Sequence, residues 1–91
     1  MFDNQNILGE ADKLVNGDRQ EAYGDAVKSL DRIAKLWSAI LGKDIEGQEV
    51  GLCLVALKIS RECGKHKMDN LIDGAGYFAL IEKYYKGKES N

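Results

Sequence analysis

Lys58 and Arg61 stand three residues apart, and Asp69, Asp73 and Tyr77 follow at intervals of four. Spacings of three and four bring side chains to one side of a helix. The first segment therefore presents a basic pair, and the second an acidic pair followed by an aromatic ring. If the two segments fold back on each other around Gly64, the basic and acidic pairs face one another. Two kinds of chemistry follow. In the first, the charges form an ion-pair network that fixes the register of the hairpin. In the second they hold a ligand: Asp69 and Asp73 bind a divalent cation or orient a polar group, while Lys58, Arg61 and the more distant Arg19 receive phosphate. Magnesium commonly uses one or two carboxylates together with phosphate oxygens, so it would enter with a nucleotide rather than as a resident cofactor. Tyr23 or Tyr77 would then stack on a base.

Catalysis asks for more than the chain supplies. His66 is the single histidine and falls at a helix start, where solvent exposure is expected. No GxSxG, phosphate-binding glycine loop or HExxH occurs, so the common nucleophile, phosphate and zinc signatures are missing. Metal-assisted hydrolysis by carboxylates is the enzyme class left in view. No catalytic residue is assigned, and binding is preferred to turnover. Cys53 and Cys63 are ten apart in one helical segment, about 15 Å along its axis, which is beyond disulfide reach. They are expected as reduced thiols, with Cys53 in the core. One histidine and no CxxC leave a zinc site short of ligands.

These side chains need helices to position them. Ile7, Leu8, Ala11, Leu14 and Val15 form an apolar stripe that predicts a helix from about Asn4 to Val15, capped by Asp3 or Asn4 and stopped at Asn16-Gly17. Gly17 to Asp25 is a polar connection that carries Arg19 and Tyr23. Val27, Leu30, Ala34, Trp37 and Leu41 predict a second helix from Ala26 to Leu41, stopped by Gly42, with Trp37 as a core anchor. A third is expected from about Gly47 to Cys63. No charge interrupts Val50 to Leu57, the pattern of a helix covered on all sides, which makes it the expected central helix. The fourth runs from about His66 to Tyr85. Gly74 and Gly76 lie inside it at about 1 kcal/mol each relative to alanine, so a neighbouring backbone or a ligand is expected close by. Short connections make sequential helices antiparallel neighbours.

The predicted fold is all-α: a small antiparallel bundle of three long helices plus a shorter N-terminal one. Residues 1–91 are read as a single helical domain, ordered from about 4 to 85, with 86–91 a frayed charged tail. Composition agrees. Of 91 residues, 44% are hydrophobic and 31% charged, and none is proline, so nothing breaks long helices. Thirteen basic residues against fifteen acidic give a net charge of −2, without the basic surplus that binding duplex nucleic acid demands. No apolar run reaches membrane-spanning length, and the polar N-terminus is unlike a signal peptide; a cytoplasmic protein is expected. So small a bundle leaves apolar surface open, which makes a homo-oligomer the expected state.

Four blocks carry a resemblance: Gly17-Asp18-Arg19-Gln20-Glu21-Ala22-Tyr23-Gly24-Asp25, Ile33-Ala34-Lys35-Leu36-Trp37, Leu57-Lys58-Ile59-Ser60-Arg61, and Asp69 through Asp73-Gly74-Ala75-Gly76-Tyr77. In this order they resemble a family of small phage and prophage proteins of unknown function. The resemblance covers roughly Asp18 to Leu80 and implies a phage-encoded protein working in the host cytoplasm. A fainter similarity reaches the all-helical MazG-type nucleotide pyrophosphohydrolases, whose late helix carries an acidic pair and an aromatic where this chain has Asp69, Asp73 and Tyr77. Those enzymes hold magnesium with glutamates on the preceding helix; this chain has Leu52-Cys53-Leu54-Val55-Ala56-Leu57-Lys58 there. The leading expectation is a phage accessory protein that binds a phosphorylated nucleotide or similar ligand through Arg19, Tyr23, Lys58, Arg61, Asp69, Asp73 and Tyr77. The alternatives are a counter-defence module that blocks a host enzyme by surface contact, and a magnesium-dependent pyrophosphohydrolase.

Overall fold

The computed structural model describes residues 6–16 and 26–89. They form four helices, α1 (Ile7–Asn16), α2 (Ala26–Leu41), α3 (Gly47–Gly64) and α4 (Met68–Glu89), and no strand occurs among the described residues. The all-α class, three long helices and a shorter first one, is the one the periodicity predicts. Arg19, Tyr23 and the rest of the polar connection lie outside the described residues.

Local chemistry sets the helix ends. Asn6 caps α1, its side-chain oxygen accepting the Gly9 N–H at 2.7 Å; the expected caps, Asp3 and Asn4, lie outside the described residues. α2 stops at Gly42, whose φ of 69° is left-handed, a conformation that glycine adopts without strain. The Gly42 and Lys43 N–H groups both return to the Ser38 carbonyl, at 2.9 and 3.3 Å. Ser38 then pins the connection: its hydroxyl donates to the Ala34 carbonyl at 2.7 Å and accepts the Ile45 N–H at 2.8 Å. At the start of α3 the Glu46 N–H donates to the Glu49 carboxylate at 2.9 Å, satisfying a donor that the helix itself leaves open. α4 continues to Glu89, four residues past the predicted end. Lys86 pairs with Glu82 at 3.5 Å and the Lys88 ammonium sits 5.0 Å over the Tyr84 ring, and cations in a last turn suit the helix dipole.

α3 and α4 form an antiparallel hairpin. Glu62 meets Asn70, Lys58 meets Asp73, Gly51 meets Ile81 and Gly47 meets Tyr84, each pair about equally far from the turn. The core lies at the end away from the turn: Leu30, Ala34, Val50 and Tyr84 are buried together, with Trp37, Ile33 and Leu54 packed against them. Gly47 and Gly51 allow the approach. A Cβ on Gly51 would stand 2.5 Å from Ile81 Cγ1, and one on Gly47 2.5 Å from Tyr84 Cε2.

Two expectations are corrected. α4, not α3, is the central helix, for it packs against α1, α2 and α3. Cys53 is exposed, as is Cys63. The uncharged run Val50 to Leu57 does not mean burial on all sides: Val50, Gly51 and Val55 take the inner face, while Leu52 and Leu57 remain 51% and 43% exposed. With 3.6 residues per turn, an inward Val50 and Gly51 swing Cys53 outward. Among the described residues no helix is long and apolar enough to cross a membrane.

Candidate functional site

The chemistry-bearing residues converge where the hairpin turns. Beyond Lys58 the core contacts end, and α3 and α4 are held by polar groups instead. The Lys58 ammonium lies 3.0 Å from an Asp73 carboxylate oxygen, with the lysine side chain only 14% exposed. Four residues later Glu62 gathers the turn. Its carboxylate accepts the Lys67 N–H at 3.0 Å and an Asn70 amide N–H at 3.1 Å, and its second oxygen pairs with the His66 ring. These partners, the His66 ring foremost, hold the Glu62 carboxyl below its ordinary value of 4.5, because each bond favours the charged form. Asn70, 8% exposed, also reaches back to the Lys65 carbonyl at 3.4 Å, so the turn is braced from both sides.

The braced turn encloses an open hollow of about 570 Å³, lined by Lys58, Arg61, Lys65, Lys67, Asp69 and Asp73, with Gly64 and Asn70 completing the wall. Four predicted residues (Lys58, Arg61, Asp69 and Asp73) are thus brought together on one concavity. Tyr77 lies one turn beyond Asp73, half-buried, and is not part of that wall. Sequence reasoning missed Lys65, Lys67 and Asn70. The signal was present in Lys65-His66-Lys67, two cations flanking the histidine in a three-residue turn between the helices.

The electrostatics of the hollow differ from those of the chain. Four cations and two carboxylates line it, in a protein whose net charge is −2. Lys58 and Asp73 neutralise each other; Arg61, Lys65 and Lys67 form no ion pair among the described residues. Such an arrangement attracts anions. Arg61 alone carries five donors suited to phosphate or carboxylate.

Fold and hollow together define a small helical-hairpin protein with a cationic recess at its turn. The chain belongs to the family described as "Domain of unknown function (DUF6378)", whose profile matches residues 6–85. Among its relatives is the Gene 55 protein of Mycobacterium phage L5, 40% identical over 80 residues that make up 85% of this chain and 51% of that protein. The Gene 55 protein of Mycobacterium phage D29 is 34% identical over 83 residues, 90% of this chain and 55% of the relative. The chain therefore spans about half the length of these curated relatives. No solved structure matches it. The phage family of unknown function that the four blocks resemble is the family found; the fainter similarity to MazG-type enzymes receives nothing from these matches.

Proposed function

We propose that the hollow at the α3–α4 turn binds a phosphorylated small ligand, a nucleotide or a close chemical relative, as part of a phage accessory role in the host cytoplasm. One observation carries this reading: positive charge is concentrated in a recess of an otherwise acidic chain, with no ion pair among the described residues at Arg61, Lys65 and Lys67. Its volume, about 570 Å³, lies in the range of small-molecule sites. Arg61, Lys65 and Lys67 receive phosphate oxygens. Lys58 and Asp73 hold the helices at the right separation, and Asp69 accepts a ligand hydroxyl or a magnesium ion brought in with the phosphate. Isothermal titration against nucleotides and cyclic dinucleotides, with and without magnesium, tests it. Binding that weakens at least tenfold in Arg61→Glu is expected; no heat from any member of the panel removes the reading.

A second reading, a counter-defence module that blocks a host protein, draws on a different place. Leu36, Ile40 and Leu41 on the outer side of α2 are 57%, 78% and 61% exposed, and clustered exposed apolar side chains mark protein contacts. A stoichiometric partner captured from host lysate by the wild type and lost in Ile40→Glu would favour it. Magnesium-dependent pyrophosphate release gains no support from the geometry. Among the described residues no group of three or more His, Cys, Asp or Glu is placed to hold a metal.

A further inference from the structure

The charged side chains around the hollow fall into two groups. Lys58 and Asp73 neutralise each other at 3.0 Å. The Asn70 amide nitrogen is engaged too, donating to the Glu62 carboxylate at 3.1 Å and to the Lys65 carbonyl at 3.4 Å. The second group is Arg61, Lys65, Lys67 and Asp69. All four line the hollow and are exposed. Their side chains form no ion pair among the described residues. Three cations and one carboxylate thus face the same space, an excess of two positive charges.

We infer, on the reading that the hollow binds phosphate, that its ligand is a hydroxyl-bearing phosphomonoester, a nucleoside monophosphate or a sugar phosphate, taken up without a metal ion. The phosphate rests on Arg61, Lys65 and Lys67, and a hydroxyl of the same ligand donates to Asp69. Three arguments select this class. The first is charge. A phosphomonoester carries about −2 at neutral pH, which matches the excess, whereas a phosphodiester with a single charge leaves a cation unmatched. The second is Asp69. An ionised carboxylate only accepts hydrogen bonds, so it repels a bare anion and favours one that brings a donor alongside its phosphate. The third concerns metal. Magnesium held by protein carboxylates and phosphate needs those carboxylates unpaired, and Asp73 is already paired with Lys58. Asp69 is left as one ligand beside three cations that repel a divalent ion. Those cations do for the phosphate what magnesium would otherwise do.

An acid in the first turn also suits the α4 dipole, so the test must separate a ligand contact from a helix contact. Titration calorimetry on the full chain, free of divalent ions, compares the nucleoside 5′-monophosphates, glucose 6-phosphate and inorganic phosphate. At least one phosphomonoester is expected to bind, and the arm that binds tells nucleotide from sugar. Its methyl phosphodiester, the same molecule with one charge fewer, should bind about tenfold more weakly. Asp69→Ala should weaken the phosphomonoester about tenfold while inorganic phosphate binds no worse than to wild type. A role in the helix alone would move both affinities together, and that result overturns the proposal. So does a phosphodiester that binds as tightly as the monoester, or a gain in affinity on adding magnesium that Asp69→Ala abolishes. Cyclic dinucleotides or magnesium triphosphates that bind where every monoester is silent also overturn it, and leave the phosphate reading standing. Silence across all of these compounds removes both.

Discussion

The far end of the α3–α4 hairpin and the turn end are built from the same two helices, yet they meet in opposite ways. At the far end, Gly47 and Gly51 carry no side chain, and Tyr84 and Ile81 press onto bare helix backbone. Water is excluded, Val50 is wholly buried, and α2 seals the contact with Leu30 and Ala34. At the turn end α2 gives no cover. Lys58 is satisfied by Asp73, while Arg61 and the Lys65-His66-Lys67 turn bring polar groups that keep their hydration, and the helices enclose a recess instead of a core. Stability and binding are thus separated along one hairpin. Packing at one end leaves the other free to hold charges that a core would not tolerate.

That separation can be broken first at the glycines. Gly51→Leu places atoms where Ile81 already is, and overpacking of this kind costs about 3 kcal/mol; urea unfolding should show the midpoint collapsing with the slope retained. Val50→Ala empties volume at the most buried side chain and should cost about 2 kcal/mol by the same measurement. At the turn end the effects shrink. Lys58→Met removes one partner of a half-buried pair, at about 1 kcal/mol. Arg61→Glu, at an exposed site with no ion pair among the described residues, should stay within about 0.5 kcal/mol of wild type. A Gly51→Leu variant as stable as Arg61→Glu would show that the far end is not the structural one.

The same contrast separates what was legible in the sequence from what was not. α2 was predicted with the bounds it has, because Val27, Leu30, Ala34 and Trp37 keep one apolar stripe and Gly42 supplies a left-handed stop. The site was half legible. Lys58, Arg61, Asp69 and Asp73 share faces by helical arithmetic, but the cations at Lys65 and Lys67 belong to a turn, where no periodicity applies. The inner face of α3 was not legible at all. Val50 to Leu57 has no charge to mark the wet side, so Cys53 and Val55 look alike in sequence and differ in fold. Glycine misled in a similar way. Gly74 and Gly76 stand out inside a long helix, yet a Cβ on either would make only ordinary contacts, 3.9 Å to the Lys58 side chain and 4.0 Å to the Val15 side chain. The close approaches are at Gly47 and Gly51. One of these opens its helix and the other follows Gln48, Glu49 and a valine, positions that read as tolerance rather than as contact.

The smallest expected effect is also the one that isolates the turn. Glu62 accepts bonds from the His66 ring, the Lys67 N–H and Asn70, and its carboxyl is held below the ordinary 4.5 in the folded chain. Unfolding releases it to that ordinary value, so the unfolded chain binds the proton more readily. The contribution of Glu62 is therefore present in full above the unfolded value and is lost as pH falls through the folded one. Glu62→Gln keeps an oxygen for the Lys67 N–H but has no charge to titrate. Wild type should be the more stable of the two at pH 7, and the difference should close as acid is added below about pH 4.5. The loss should be local: hydrogen exchange is expected to rise at Lys67 and Asn70 while the Gly51 region stays protected. A gap between the two proteins that is flat with pH would mean that solvent screens Glu62 fully, and that the turn is braced by Asn70 and the Lys58–Asp73 pair alone.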